Sequence, residues 1–189
     1  MRLKKTIKYL IIINIFFILF SYFIDTNRVI KEKKLINEFI KYSSYSTNTK
    51  SVKTKPTYEM ILKIDKINLY KGLYKKNSSK NNVNFGLELL DDSRYPNEEN
   101  SIIYIASHSG NSKIAYFRNL DLLKINDLAS LYYKNKIYTY QLKKIEYIKK
   151  GTSLNTYIEN KKALILITCK KNTDLQYIFI FYLENESLY

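Results

Sequence analysis

The chain has 189 residues and a formal net charge of +15, from 32 Lys and Arg against 17 Asp and Glu. With 4 Gly, 2 Pro and a single cysteine, the composition excludes collagen-like, low-complexity and disulfide-stapled proteins. One cysteine and one histidine are also too few for a structural zinc site of the usual four Cys/His ligands. Any bound metal would therefore need oxygen ligands.

The positive charge is concentrated towards the N-terminus. Residues 1–56 carry 12 basic and 3 acidic side chains, whereas residues 57–189 carry 20 and 14. Such basicity often indicates nucleic-acid binding, but no helix-turn-helix, zinc-finger or RNP pattern is present. Arginine, the favoured side chain for base and phosphate recognition, occurs only four times. We therefore expect no nucleic-acid partner, and a Lys-rich composition with a membrane-facing stalk is the simpler interpretation.

An apolar segment follows a short basic tail. Residues 1–8 contain four basic side chains, and Tyr9–Ile24 is apolar at all but two positions. Sixteen helical residues rise about 24 Å, which is short of the ~30 Å hydrocarbon core, so the flanking Lys8 and Arg28 would extend towards the headgroups. The pattern predicts a cytoplasmic tail over residues 1–8 and a transmembrane signal anchor over residues 9–24.

A cleaved signal peptide is the alternative interpretation of this segment. No small-x-small cleavage pattern follows it, which favours an uncleaved anchor. Positive charge before the segment favours a cytoplasmic N-terminus, although basic residues also follow it closely. We expect a single-pass protein of the cell membrane with its folded domain outside the cytoplasm.

Residues 25–56 are predicted to connect the anchor to the folded domain. Apolar side chains recur at helical spacing over Asn27–Tyr42, which predicts a helical stalk that continues the anchor. The segment Ser43–Thr57 is rich in Ser, Thr and Lys and predicts a solvated linker. The folded domain then covers residues 57–189.

Short β-branched and aromatic runs separated by turn signals fill this domain and predict mainly antiparallel strands. The predicted strands are Glu59–Ile64, Leu69–Leu73, Ser101–Ser107, Leu128–Tyr133, Ile137–Tyr147, Ala163–Thr168 and Tyr177–Leu183. Lys134–Lys136 predicts a tight hairpin turn, and the spacing over Ile114–Leu123 predicts a helix with one apolar face. The economical fold class is mainly β: a closed or nearly closed barrel with one or two short helices.

The single histidine and the single cysteine each follow an apolar predicted strand. His108 comes after SIIYIAS and Cys169 after ALILIT. A thiolate attacks carbonyl carbons and an imidazole can form or stabilise it, so Cys and His together are a minimal acyl-transfer pair. The pair alone is a weak signal, because a lone cysteine is often an inert core residue and a lone histidine is often structural.

The local sequences around both residues resemble the sortase family, the cysteine transpeptidases of Gram-positive bacteria. IASHSG at 105–110 is similar to the family's histidine motif, and LITC at 166–169 to its T-L-x-T-C nucleophile motif. Between them, Phe117, Leu120 and Leu123 match an F-x-x-L-x-x-L pattern that is followed by an Asn-Asp strand entry. The opening MILKIDKINLYKGLY at 60–74 also resembles the family's start, with Asp65 where proline is common. The resemblance covers essentially all of residues 57–189.

This resemblance implies a closed eight-stranded β-barrel enzyme with Cys169 as nucleophile and His108 as general acid and base. Its implied partners are secreted proteins that carry a sorting signal, a cell-wall precursor or pilin amine as acceptor, and the membrane bilayer. It implies no cofactor. The short stretch from Lys149 to Lys162 and the lack of a lid motif around Ser43–Thr57 favour a compact single-domain form.

One position departs from the family pattern. Sortases usually carry an arginine shortly after the cysteine, where it contacts the substrate and helps to stabilise the oxyanion, but this sequence has Gln176 there. A glutamine amide donates a hydrogen bond without charge, and charge-assisted bonds are about twice as strong. Gln176 is the candidate donor, with Lys170 or Lys171 as possible helpers. The alternatives are that Arg94 or Arg118 reaches the site, that the enzyme is slow, or that the domain is degenerate.

Three small polar residues beside the pair are candidate substrate-binding positions: Thr168, Ser107 and Ser109. Each also has a structural explanation, as a strand or turn residue. The acidic cluster from Asp91 to Glu99 lacks the spacing of a calcium-binding EF-hand loop, so we expect a solvated acidic loop and no metal. Two functions of other classes stay open: a catalytically weak barrel that binds an extended peptide, and a basic surface structural protein in which Cys169 is buried and unreactive.

Overall fold

The computed structural model describes residues 2–45, 56–152 and 161–188. Most of the predicted linker Ser43–Thr57 and the middle of the Lys149–Lys162 stretch therefore lie outside the described residues. Within them, one long helix precedes an eight-stranded sheet. The elements are α1 (Arg2–Tyr45), β1 (Met60–Ile64), β2 (Leu69–Leu73), β3 (Glu88–Leu89), β4 (Ile102–Ala106), β5 (Leu128–Tyr133), β6 (Lys136–Lys149), β7 (Ala163–Cys169) and β8 (Leu175–Leu188).

The strands form one mixed sheet in the order β2-β1-β5-β6-β8-β7-β4-β3. Every neighbouring pair is antiparallel except β4 and β7, which are parallel. The sheet curls into a nearly closed barrel around an apolar interior that includes Leu62, Leu131, Leu166 and Phe179. The predicted mainly antiparallel β-barrel is confirmed, with β2 and β3 as its two edges.

β7 lies between β4 and β8 and has apolar residues on both of its faces. Six of its seven residues are buried, so the run ALILIT packs both inward and outward. Outside the barrel, Ile165 and Ile167 pack with Ile178 and Ile180 of β8. A strand that is buried on both faces has a continuous apolar sequence instead of an alternating one, and this is the pattern found before Cys169.

The predicted helix over Ile114–Leu123 is wrong in type. The segment forms a series of turns with one short 3-10 turn at Leu120–Leu122, and a second 3-10 turn covers Asp65–Ile67. The N–H groups of Arg118, Leu120 and Leu123 bond three residues back instead of four, and the Phe117 N–H donates to the carbonyl of His108 at 3.1 Å, outside the segment. The apolar face is nevertheless real, since Phe117, Leu120 and Leu123 are all buried in the barrel interior.

Helix α1 has two different halves. A window within Ile7–Ser43 has a mean hydropathy of 2.2 and no buried residue, so by length and composition the helix could cross a membrane. Further along, Ile36 and Phe39 are 1% and 3% exposed because they pack on Tyr58 and Ile61 of the barrel. The helix therefore continues without interruption from an exposed apolar half into a half that is docked on the barrel.

Polar contacts accompany this docking. The carboxylate of Glu32 accepts a hydrogen bond from the Tyr58 hydroxyl at 2.9 Å and one from the Gly72 backbone N–H at 3.2 Å. Burial, followed by the nearby Glu32 charge, raises the pKa of Tyr58. A Cβ at Gly72 would lie 2.2 Å from the Tyr58 ring, so a glycine is needed for the ring to reach the helix.

Candidate active site

The parallel pairing of β4 and β7 brings His108 and Cys169 to the same end of the barrel. The last matched pair is Ala106 with Ile167, and His108 and Cys169 each lie two residues beyond it. Because parallel strands run in the same direction, their carboxyl ends meet at one edge of the sheet. The structure therefore places the two predicted reactive residues side by side in the strand order.

Hydrogen bonds fasten the two strand ends to each other. The Ser107 N–H donates to the Ile167 carbonyl at 3.2 Å, and the Thr168 hydroxyl donates to the Ser107 carbonyl at 2.8 Å. One residue further, the Ser109 hydroxyl donates to the Cys169 carbonyl at 2.5 Å. The bonds join the two residues that flank His108, Ser107 and Ser109, to the end of β7. They therefore fix the backbone positions of both His108 and Cys169.

The three predicted substrate-binding residues thus have hydroxyls that bond within the protein. Ser107 and Thr168 are each 4% exposed, and the Ser107 hydroxyl donates to the Gly86 carbonyl at 2.9 Å. Ser109 and Thr168 also line a recess beside Cys169. The contacts in the structure are those of positioning residues, and direct contact with a substrate stays a prediction.

Cys169 is partly exposed and lies between two recesses. A cavity of about 110 Å³ on one side is lined by Ser109, Phe117, Arg118, Asp121, Thr168, Cys169, Lys170, Lys171 and Tyr177. A groove of about 450 Å³ on the other side is lined by His108, Ser109, Gly110, Asn111, Lys150, Cys169, Lys170, Lys171 and Asn172. Cys169 lines both recesses, whereas His108 lines the larger groove.

Gln176 lies directly opposite Cys169 in the β7–β8 pairing. Residues directly opposed in an antiparallel pair project to the same face of the sheet, so Gln176 is on the face of the nucleophile. Within the described residues, however, neither recess includes Gln176 in its lining, and its neighbour Tyr177 takes that place in the smaller cavity. Gln176 is therefore the cross-strand neighbour of Cys169, but it is not among the described residues that line the two recesses.

The surroundings of Cys169 are predominantly cationic. Among the described residues, Arg118, Lys150, Lys170 and Lys171 line the two recesses, against one carboxylate, that of Asp121. The Lys170 ammonium lies 4.7 Å from the Tyr147 ring centre and 5.6 Å from that of Tyr177. Burial, then the neighbouring Tyr147 and Asp121, raises the pKa of Tyr177.

Sequence reasoning missed several of these lining residues. Tyr177, Lys150 and Asp121 were not predicted, although Tyr177 directly follows Gln176 in the chain. Arg118 was only one of several alternatives, and the structure places it in the smaller cavity. Arg94, the other arginine considered, is bonded through its backbone N–H to Ile102 at the start of β4, away from the His108 end.

Comparison with known proteins decides the family. The family model described as "Sortase domain" matches residues 62–184. The chain belongs to the sortase family. The match begins within β1 and ends within β8, and it includes the strand ends that carry His108 and Cys169.

Solved sortase structures share the fold at low sequence identity. A sortase D5 transpeptidase from Clostridium perfringens is 22% identical with a TM-score of 0.63, and the match covers 82% of this chain and 98% of that one. Sortase C1 from Streptococcus agalactiae is 21% identical with a TM-score of 0.62, over 81% and 89%. Sortase E1 from Streptomyces coelicolor, solved with a tripeptide in its active site, is 16% identical with a TM-score of 0.61, over 70% and 91%. No curated protein matches this sortase significantly.

Within residues 2–45, 56–152 and 161–188, no group of three or more His, Cys, Asp or Glu is arranged to hold a metal ion. In the acidic segment, the Glu98 carboxylate instead accepts a hydrogen bond from the Tyr95 N–H at 2.8 Å. Around Cys169 and His108 the described lining residues offer a thiol, an imidazole, one carboxylate at Asp121 and several positive charges.

Proposed function

We propose that this sortase is a membrane-anchored cysteine transpeptidase that cleaves a sorting signal in secreted proteins and transfers the acyl group to a cell-wall or pilin amine. One observation carries the proposal: the parallel β4–β7 pairing delivers His108 and Cys169 to one open groove. Family membership supports the reaction class.

The first half-reaction forms a thioester. The proton of the Cys169 thiol passes to His108, the resulting thiolate sulfur bonds to the carbonyl carbon of the scissile peptide, and the carbonyl electron pair moves onto the oxygen. When the tetrahedral intermediate collapses, the C–N bond breaks and His108 gives a proton to the leaving amine. The Gln176 amide, on the same sheet face as Cys169, is the proposed neutral donor to the oxyanion.

The second half-reaction transfers the acyl group. The acceptor amine bonds to the thioester carbon, its proton passes to His108, and the C–S bond breaks to release the Cys169 thiolate. Water in place of the amine gives hydrolysis. No cofactor enters either step.

The exposed apolar half of α1 supports the membrane location. Its large apolar side chains over residues 9–24 are exposed, with Phe16 63% and Tyr22 72% exposed. An uninterrupted exposed apolar helix is stable in lipid, where all of its backbone hydrogen bonds are satisfied internally. We propose that residues 9–24 span the bilayer once, with residues 1–8 in the cytoplasm and the barrel outside it.

Intact-mass spectrometry of the full chain in detergent, incubated with a library of sorting-signal peptides, tests the proposal. The full chain is preferable to residues 57–189 because α1 covers Tyr58 and Ile61. We expect an acyl adduct that is absent in Cys169→Ala and that an added amine discharges. His108→Ala should lower the rate by 10²-fold or more, since general acid–base catalysis contributes about 10²–10⁴-fold.

Two outcomes would contradict the transpeptidase. Peptide binding that survives in Cys169→Ala, with no adduct from any peptide in the unsubstituted chain, would leave a peptide-binding module. A Cys169 thiol that is also inert to alkylation would leave a structural surface protein. Glu99→Ala, a change in the exposed acidic segment, is the matched control and should form the adduct at the unsubstituted rate.

A further inference from the structure

The attack of Cys169 on a carbonyl creates a negative charge on oxygen, and the amide of Gln176 is neutral. Preorganised donors aimed at such developing charge are usually the largest single contribution to catalysis, and charged donors bind an oxyanion more strongly than neutral ones. The cations of the smaller cavity, Arg118, Lys170 and Lys171, are the groups able to supply that charge there.

Arg118 is the best fixed of these cations. Its Nε donates to the Gly110 carbonyl at 3.1 Å and its Nη2 donates to the Ser112 carbonyl at 2.8 Å. Both acceptors lie in the loop that begins at His108. Two hydrogen bonds from a planar guanidinium fix its orientation as well as its position, whereas a lysine ammonium is a mobile point charge.

The same segment is tied to the histidine from the other side. The backbone N–H of Phe117, which precedes Arg118, donates to the His108 carbonyl at 3.1 Å. Arg118 is therefore positioned by the loop that carries His108 and lines the cavity that contains Cys169. Its Nη1 makes no hydrogen bond to any described residue, so its N–H groups are available to an incoming oxygen.

We propose that Arg118 is a further catalytic residue, whose guanidinium stabilises the oxyanion formed when Cys169 attacks the substrate carbonyl. In this assignment the charge comes from the loop after β4, while Gln176 of β8 contributes a neutral bond. The inference rests on the proposed transpeptidase function and adds to it the source of the positive charge.

Acylation kinetics with Arg118→Gln separate transition-state stabilisation from substrate binding. We expect the rate of Cys169 adduct formation at saturating peptide to fall about 10²-fold, with KM changed less than threefold, as when one oxyanion donor is removed. Adding Gln176→Arg to the Arg118→Gln variant should raise the rate of adduct formation at least tenfold above that of Arg118→Gln alone, because it places a guanidinium opposite Cys169. Arg94→Gln is the matched control and should leave the rate unchanged.

A second measurement needs no peptide. Iodoacetate and iodoacetamide both alkylate Cys169 with loss of iodide, but only the first is an anion. In 10 mM salt, where screening is weak, we expect the ratio of the two alkylation rates to fall about threefold in Arg118→Gln and to stay constant in Arg94→Gln. This ratio reports the positive charge of Arg118 at the sulfur independently of any sorting signal.

Three results would overturn the assignment. One is an unchanged adduct rate in Arg118→Gln when the unsubstituted sortase forms the adduct; this removes Arg118 and leaves the proposed function intact. The second is a change confined to KM, which would mean that Arg118 binds a substrate carboxylate. The third is an alkylation ratio insensitive to Arg118. Absence of the adduct in the unsubstituted chain would instead remove the proposed function, and the catalytic role of Arg118 with it.

Discussion

The two functional regions of this sortase are held in place by different kinds of contact. At the end of the barrel that carries His108 and Cys169, the backbone is fixed by the β4–β7 pairing just before these residues and by hydroxyl-to-backbone bonds from Thr168 and Ser109. Along the barrel wall, α1 is held by side chains, above all Phe39 and Glu32. The relative position of His108 and Cys169 is therefore set mainly by the backbone, whereas the attachment of α1 can be weakened by changing one side chain at a time.

The largest expected effect on the helix side comes from Phe39→Ala. Phe39 is 3% exposed between α1 and the barrel, and truncating a buried Phe costs about 3–5 kcal/mol. Hydrogen exchange of the Gly72 amide, which donates to Glu32 in the docked state, should accelerate at least a hundredfold. The matched control is Ile30→Ala, because Ile30 is exposed on the same helix. Equal exchange in both variants would contradict the docked arrangement.

Glu32→Ala should have the next largest effect. It removes the acceptor of both the Tyr58 hydroxyl and the Gly72 N–H, and hydrogen bonds to a charged group contribute about 1.5–3 kcal/mol. We expect a lower midpoint of thermal unfolding for the full chain, with the acylation rate within twofold of the original. Glu38→Ala, an exposed change six residues along the helix, should alter neither quantity. A large loss of acylation in Glu32→Ala would show that helix and site are coupled.

On the catalytic side, Thr168→Val tests whether the strand ends are held by side-chain hydroxyls. It removes the bond to the Ser107 carbonyl and should cost about 1 kcal/mol. Because Thr168 acts through the position of His108, we expect kcat to fall about fivefold with KM unchanged. Thr168→Ser, which keeps the hydroxyl, should restore kcat. Failure of this rescue would assign the effect to packing of the methyl group instead.

The smallest expected effect is the pH-dependent contribution of Glu186, in the barrel wall, to the free energy of unfolding. Hydrogen bonds from Lys162 and then Lys136 lower the pKa of Glu186 below its ordinary value of 4.5. A carboxyl with a lowered folded-state pKa stabilises the fold above its unfolded pKa, and this stability is lost as the pH falls through the lowered value.

Glu186→Gln should therefore lower the free energy of unfolding by about 0.5 kcal/mol at pH 7. Urea unfolding at pH 7 and pH 3 should show the difference shrinking at the lower pH. Glu184→Gln, which breaks a more exposed ion pair to Lys143, is the control and should have the smaller effect at pH 7. A difference that grows on acidification would contradict the assigned direction.

The strands of the barrel were largely predictable from the sequence because each has a local signature. The bounds of Leu69–Leu73 and Leu128–Tyr133 were predicted to the residue, and the turn between β5 and β6 follows from Lys134–Lys136. Glu88–Leu89 was missed because two residues cannot show an alternation. The helix at Ile114–Leu123 was wrong because its apolar spacing fits a series of turns as well as a helix, and it carries no information about the bond from Phe117 back to His108.

The site was predictable only in part, for a similar reason. His108 and Cys169 each follow an apolar strand, and their placement at one edge needs only the parallel pairing of those strands. Gln176 opposite Cys169 follows from the length of the β7–β8 hairpin. The position of Arg118 depends on how the loop after His108 folds back on itself, which no spacing in the sequence reports.

The docking of α1 on the barrel also determines how far His108 lies from the proposed membrane-spanning residues 9–24. Lys113, five residues beyond His108, forms an ion pair with Asp25 at 2.6 Å and lies 3.4 Å from the Ser21 hydroxyl, while Arg28 donates to the Lys113 carbonyl at 2.6 Å. With residues 9–24 in the bilayer, Lys113 lies among the headgroups and His108 within about 17 Å of them. In this proposed orientation the His108 and Cys169 end of the barrel would lie close to the membrane surface, where a lipid-borne reactant would reach it by lateral diffusion in two dimensions.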